Sequence, residues 1–278
     1  MYGYLGIAAA AAVAFGTLRA LGHRPLAFGP ERVRWPLAPA PSLFMMLVLM
    51  VAGAASAALV TQALGTGAAD DVRARAIASL ANYGAQLLLV AGIWWALAGA
   101  VGRGAGAIEG AAAPMGRARS AAAGALAMAV GWPIVQAGGA VASTVQQSLS
   151  GVAAPDTAHR TLEAMGQSGE VAWIAATALV AVVLAPLAEE ILYRGALQQA
   201  LHGLGMPRIL SLFSASAVFA AAHLGSLVGG SEAGALTMLL ILGMVFGWAY
   251  ERTGSMWAPF TAHALFNAAN LAIFLAQR

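Results

Sequence analysis

The sequence contains no cysteine and no lysine, and it has few charged residues of any kind. Charged side chains make up 9% of its 278 residues, whereas a soluble domain averages about 25%. The absence of cysteine excludes disulfides and thiolate metal ligands, and it leaves the redox compartment undetermined. The 14 basic residues are all arginines, which stand singly or in short loops. They form no basic stripe, so nucleic-acid binding is not expected.

Hydrophobic residues, by contrast, make up 60% of the chain, and its mean hydropathy is +0.78. Such a chain has too little polar surface to dissolve in water, so it is interpreted as an integral, multi-pass protein of the lipid bilayer. Lipid permits only helices or closed barrels, and the Ala- and Leu-rich runs lack the alternation of a barrel strand. The predicted fold class is therefore an all-α polytopic membrane protein with about eight transmembrane helices.

The apolar windows place these helices along the chain. The predicted spans are 2–21, 42–64, 78–101, 120–142, 171–193, 209–229, 234–250 and 256–276. The first lacks the basic region of a signal peptide and is expected to be retained. Between the fourth and fifth spans, the stretch TAHRTLEAM predicts an interfacial helix.

Arginine distribution predicts the orientation. Ten arginines lie in or beside the odd-numbered loops: Arg19, Arg24, Arg32, Arg34, Arg103, Arg117, Arg119, Arg194, Arg208 and Arg252. Four lie on the other side: Arg73, Arg75, Arg160 and Arg278. We therefore expect the odd-numbered loops in the cytoplasm and both termini outside.

The first four spans carry little polar chemistry. Asn82 and Gln86 stand four residues apart on the third span, where we expect them to hydrogen-bond a neighbouring helix as a packing device. Residues 1–170 thus form an N-terminal membrane region without a recognised motif, and residues 171–278 form a second region that holds the polar residues.

Adjacent carboxylates interrupt the fifth span. Glu190 and Arg194 are at positions i and i+4, so they share a helix face and are predicted to pair. Glu189 is rotated from Glu190 by about 100° around the helix, so only one of the two carboxylates can use that arginine. The other is left to point elsewhere.

Two further polar pairs follow at the same spacing, Phe219 with His223 and His263 with Asn267. Each pair alone has a structural explanation, since an intramembrane histidine can satisfy a backbone carbonyl and a carboxylate at a helix end can reach the interface. Ionisable groups inside apolar spans are nevertheless costly and usually functional. Their confinement to the last four spans predicts a functional site there.

These motifs in this order, EExxxR, FxxxH and HxxxN, resemble the CPBP family of intramembrane proteases, which includes the CAAX prenyl endopeptidases and the bacterial Abi and bacteriocin-immunity proteins. The resemblance covers residues from about 171 to the C-terminus and implies that residues 171–278, the last four spans, form the catalytic core. It implies that Glu189 is a general base beside Glu190, that His223 helps to hold the water, and that His263 and Asn267 bind the oxyanion. It gives supporting roles to Arg194, which orients Glu190, and to Phe219, which packs beside the site.

The cofactor is left open by the sequence. One option is a zinc ion held by His223, His263 and Glu189, since histidine and glutamate are ordinary zinc ligands. The other is a glutamate-activated water without a metal, which is slightly preferred because the HExxH motif of common zinc proteases is missing.

The resemblance implies an endopeptidase that cuts a membrane-embedded or lipid-modified peptide or protein near the cytoplasmic face. Two alternatives remain: a non-catalytic membrane protein that binds a peptide as an immunity or scaffold factor, and, less favoured, a proton-coupled transporter. A relay for protons would continue along a path rather than form one cluster. The Ala-, Gly- and Arg-rich composition without lysine indicates a GC-rich bacterial genome, and the expected location is the bacterial inner membrane. Because bacteria generally lack protein prenylation, a prenylated substrate is not carried over from the family.

Overall fold

The computed structural model describes residues 35–65, 71–101, 116–151 and 159–277. Within these ranges the chain forms eight helices, a short 3₁₀ turn and no strand. The helices are α1 (Pro39–Leu64), α2 (Val72–Val101), α3 (Arg117–Ser150), α4 (Arg160–Gln167), α5 (Val171–Gly203), α6 (Arg208–Ala222), α7 (Glu232–Thr253) and α8 (Trp257–Ala276). The all-α fold class is confirmed.

Seven helices, all but α4, are long and apolar enough to cross a membrane within the described part of the chain. They correspond in order to seven of the eight predicted spans, and the eighth, 2–21, lies outside the described residues. Several helices are longer than predicted, and the largest extensions are at the C-terminal ends of α3, which continues to Ser150, and of α5, which continues to Gly203. Large apolar side chains such as Trp95 and Phe44 stay exposed on these helices, as a lipid-facing surface requires.

Small residues let the helices approach closely, which is how membrane helices pack without a hydrophobic driving force. On α3, a Cβ added to Gly124 would collide with the backbone of Ala258, and one added to Gly139 would collide with Met238. These contacts bring α3 against both α7 and α8. Both glycines therefore serve helix packing.

The central helix α5 is not a regular α-helix. It contains two π-helical segments, Val180–Leu184 and Ile191–Gln198, with the α-helical segment Ala185–Glu190 between them. Segments of this type appear frequently at functional sites. Here they flank the two adjacent carboxylates.

The predicted helix before the fifth span is present as α4. The His159 ring accepts a hydrogen bond from the Thr161 backbone N–H and so caps the helix N-terminus. Backbone pairing of His159 with Leu227 and a hydrogen bond from Arg160 Nε to the Leu227 carbonyl fasten this end to the loop after α6. This segment therefore lies beside the end of α6 that carries His223.

Candidate active site

The two adjacent carboxylates have different partners, as their rotation around α5 predicts. Glu190 is fully buried, and its Oε2 lies 3.2 Å from Arg194 Nε in an ion pair without a well-aligned hydrogen bond. Arg194 is itself 1% exposed, and its Nη2 donates to the Gly243 carbonyl of α7 at 3.1 Å. The pair thus joins α5 to α7 inside the bundle.

Aromatic rings surround the Arg194 guanidinium. Its central carbon lies 4.7 Å from the ring centre of Phe219 and 5.3 Å from that of Phe246. Such cation–π contacts partly replace the lost hydration of a buried cation. Because Arg194 is buried, it does not belong in the arginine count for the loops, which becomes nine against four and favours the same orientation.

Glu189 has one bound oxygen and one open oxygen. Its Oε1 accepts a hydrogen bond from the Tyr83 hydroxyl of α2 at 2.7 Å. Its Oε2 lies 3.8 Å from His263 Nε2, beyond hydrogen-bond distance. The open oxygen therefore faces an imidazole nitrogen across a gap.

His263 links the two carboxylates. Its Nδ1 lies 2.8 Å from Glu190 Oε1, and an ionised carboxylate can only accept, so Nδ1 is the donor. The ring stacks on Phe246 with centres 4.6 Å apart. Its plane and direction are fixed by these two contacts, so Nε2 is held toward Glu189.

His223 ends α6 and is half-buried. Its Nδ1 lies 2.8 Å from the Phe219 carbonyl oxygen, which can only accept, so Nδ1 carries the proton. In the neutral ring Nε2 then keeps its lone pair. The Phe219 ring contacts both histidines, at 4.7 Å from His223 and 5.8 Å from His263. Phe219 is thus the packing centre between them.

Asn267 stands one turn beyond His263 on α8, as the HxxxN spacing requires. Its Nδ2 donates to the Ala181 carbonyl of α5 at 2.7 Å. An amide nitrogen has two N–H groups, so one of them is committed to the backbone. The structure gives Asn267 no hydrogen bond to either carboxylate.

Two residues outside the predicted motifs belong to this neighbourhood, Tyr83 and His159. Burial and the nearby His223 lower the pKa of His159 to about 4, against a smaller opposing effect of Glu189. His159 is therefore neutral at physiological pH. The signal for Tyr83 was available in principle, since a tyrosine in an apolar span needs a partner for its hydroxyl, but the sequence did not name that partner.

The prediction for the amide pair on the third span was wrong in its detail. Gln86 Nε2 donates to Asn82 Oδ1 along α2 at 3.2 Å, rather than to another helix. Gly53 of α1 lies against both amides, since a Cβ there would collide with them. The pair still serves packing, but through close approach of the α1 backbone.

The described residues contain no group of three or more His, Asp or Glu side chains arranged to hold a metal ion. The zinc option with His223, His263 and Glu189 as ligands therefore stays a prediction.

Comparison with models of known protein families gives a match to part of this chain. Residues 171–269 match the sequence model described as type II CAAX prenyl endopeptidase Rce1-like. This range contains all three motifs and excludes Tyr83 and His159. No curated protein and no solved structure matches the chain.

Proposed function

We propose that this chain, whose residues 171–269 match the model of Rce1-like type II CAAX prenyl endopeptidases, is a CPBP-type intramembrane protease that hydrolyses a peptide bond of a membrane-embedded or lipid-modified peptide or protein. The observation that carries the proposal is the state of Glu189. One of its oxygens is held by Tyr83, and the other is open toward His263 in a buried, aromatic-lined site. A carboxylate held in this way can act as a general base on water.

In the proposed reaction Glu189 Oε2 removes a proton from a water molecule while the water oxygen attacks the substrate carbonyl carbon. The carbonyl π electrons move to oxygen and form a tetrahedral oxyanion. When the C–N bond breaks, the leaving nitrogen takes the proton from Glu189. Peptide and water are thus converted to an acid and an amine, and the base returns to its starting state.

His263 would bind the oxyanion through Nε2. Because Nδ1 already donates to Glu190, donation from Nε2 requires a proton on both ring nitrogens, that is, the imidazolium form. Two carboxylates, the Arg194 guanidinium and one imidazolium would leave the buried cluster without net charge. Charge balance of this kind lowers the cost of burying ions.

Asn267 and His223 would complete the site. The second N–H of the Asn267 amide is the proposed second oxyanion donor, and the first N–H anchors the side chain on Ala181. The His223 Nε2 lone pair is available to accept from the attacking water. Arg194 would offset the charge of Glu190 and orient its carboxylate. Preorganised donors in a site without bulk water are the usual source of such catalysis.

The proposed setting is a bacterial inner membrane, with the odd-numbered loops in the cytoplasm and the site reached from the cytoplasmic side. Glu189 lies near the middle of the 33-residue helix α5. A bond to be cut must therefore enter well below the surface, which suits an extended peptide anchored in the same membrane.

The test compares the wild type with Glu189→Gln in detergent, against a library of fluorogenic membrane peptides. Loss of a general base costs typically 10² to 10⁴-fold in rate, so the variant should be nearly inactive. Glu163→Gln is the matched control, because Glu163 is an exposed carboxylate on α4. It should cleave like the wild type.

Each arm is repeated with a chelator and again after addition of zinc. Rates that are unaffected support the metal-free reaction, whereas loss with chelator and recovery with zinc would assign a metal. Equal cleavage by wild type and Glu189→Gln would contradict the role of the base. Peptide binding by both without any cleavage would favour the scaffold function instead.

A further inference from the structure

The general base is contacted from a helix that lies outside the family-matched residues. Tyr83 of α2 donates its hydroxyl proton to Glu189 Oε1 at 2.7 Å, across 106 residues of sequence. Hydroxyl-to-carboxylate bonds are among the stronger hydrogen bonds in proteins. The N-terminal region thus makes a direct polar contact with the proposed reacting group.

This contact controls which oxygen of Glu189 is free. The terminal torsion of a glutamate is broad, so an unrestrained carboxylate would rotate and exchange its two oxygens. Tyr83 occupies Oε1 and leaves Oε2 toward His263 Nε2 at 3.8 Å. The hydrogen bond therefore fixes the direction of the lone pair that would receive the water proton.

The position of Tyr83 is itself fixed by close packing. The preceding residue, Asn82, is bonded to Gln86 on the same helix, and Gly53 of α1 lies directly against that amide pair. A Cβ at position 53 would collide with both amide side chains, which would have to move. The amide pair and the glycine thus hold the turn of α2 that carries Tyr83.

We propose that Tyr83 is a positioning residue that orients the Glu189 carboxylate for proton transfer. The proposal rests on the proposed function of Glu189 as the base. It assigns a catalytic support role to the N-terminal region, which would then be part of the enzyme rather than a membrane anchor alone.

The kinetic test is Tyr83→Phe, which removes the hydroxyl and keeps the ring. We expect kcat to fall by about tenfold, equivalent to about 1.4 kcal/mol, with KM unchanged because Tyr83 does not touch the peptide. The unfolding temperature should move by less than about 3 °C. Tyr250→Phe is the matched control, since Tyr250 is a buried tyrosine of α7, and it should leave kcat unchanged.

A spectroscopic test works without turnover. In Glu189→Gln the acceptor of the Tyr83 hydroxyl changes from a carboxylate to an amide, so the infrared difference from the wild type should show the C–O band of one tyrosine. The chain has 5 tyrosines in all, which makes such a band assignable. The same difference taken in the Tyr83→Phe background should lack that band.

The outcomes separate the two proposals. An inactive wild type that still shows the band would refute the protease and keep the contact. An active wild type whose kcat is unaffected by Tyr83→Phe, or a band that persists in the Tyr83→Phe background, would refute the positioning role.

Discussion

Asn267 Nδ2 on α8 donates a hydrogen bond to the Ala181 carbonyl on α5 at 2.7 Å. In this π-helical segment Ala185 N–H bonds five residues back to Val180, so Pro186 is the residue that would pair with Ala181. Proline has no N–H. The side chain of Asn267 therefore supplies the donor that Pro186 lacks, and this bond ties α8 to α5 beside the carboxylates.

Replacement of Asn267 by alanine should lower stability as well as activity. It leaves the Ala181 carbonyl without a donor, and an unsatisfied buried polar group costs about 1–3 kcal/mol. The free energy of unfolding in detergent, measured by denaturant titration, should fall by this amount.

Pro186→Ala provides the control for this prediction, because it restores a backbone N–H near Ala181. In that background Asn267→Ala should cost less than half as much. An equal cost in both backgrounds would show that the carbonyl is not the reason for the loss.

The buried ion pair predicts a strong effect at Arg194. Arg194→Met leaves Glu190 as a buried carboxylate without its guanidinium, and breaking a buried pair costs about 3–5 kcal/mol. The double variant Glu190→Gln with Arg194→Met removes both charges and should recover at least half of that loss. Arg119→Met, at an exposed arginine of α3, is the control and should change the free energy of unfolding little.

His159 predicts a pH dependence of stability. Its pKa is about 4 in the folded protein and about 6.5 in an unfolded chain. As the pH falls from about 6.5 to about 4, the unfolded state takes up a proton that the folded state does not, so stability is lost over that window. His159→Asn keeps a capping side chain and removes the titration. Its unfolding temperature should fall less between pH 7 and pH 4.5, and an identical fall would contradict the assignment.

Orientation can be tested cleanly because the chain has no cysteine of its own. Leu204 is exposed between α5 and α6, and Gln167 is exposed at the end of α4. In intact bacteria a membrane-impermeant maleimide should label Gln167→Cys and spare Leu204→Cys. Permeabilised cells should label both, and the reverse pattern in intact cells would place the odd-numbered loops outside.

Local features of the fold were predictable from the sequence. Hydropathy over about 20 residues is a property of contiguous chain, so seven spans were located within the described residues. The pairing of Glu190 with Arg194 was also predictable, because the i, i+4 geometry lies within one helix. The helix ends were less predictable. Helices α3 and α5 continue through small and amide residues of low hydropathy, so a hydropathy window places their ends too early.

Contacts between distant helices could not be predicted in the same way. No spacing rule connects Tyr83 to Glu189 or His263 to Glu190, because those contacts depend on how separate helices are rotated and packed. The neutral state of His159 likewise depends on burial by the loop after α6. The sequence therefore identified candidate reacting groups and the local partner Arg194, but not the contacts that join Tyr83 to Glu189 and His263 to Glu190.

The directions in which Glu189 and Glu190 point depend on the number of residues in the π-helical segments of α5. In a π-helical segment each turn contains more residues than the roughly 3.6 of a regular α-helix, so the step in rotation per residue is smaller than about 100°. Deletion of one residue within Val180–Leu184 would turn the following segment by about one such step relative to the start of the helix. Glu189 would then no longer face Tyr83, and Glu190 would no longer face His263, although neither residue had been changed. Helix α5 should thus tolerate many apolar substitutions while excluding insertions and deletions of a single residue.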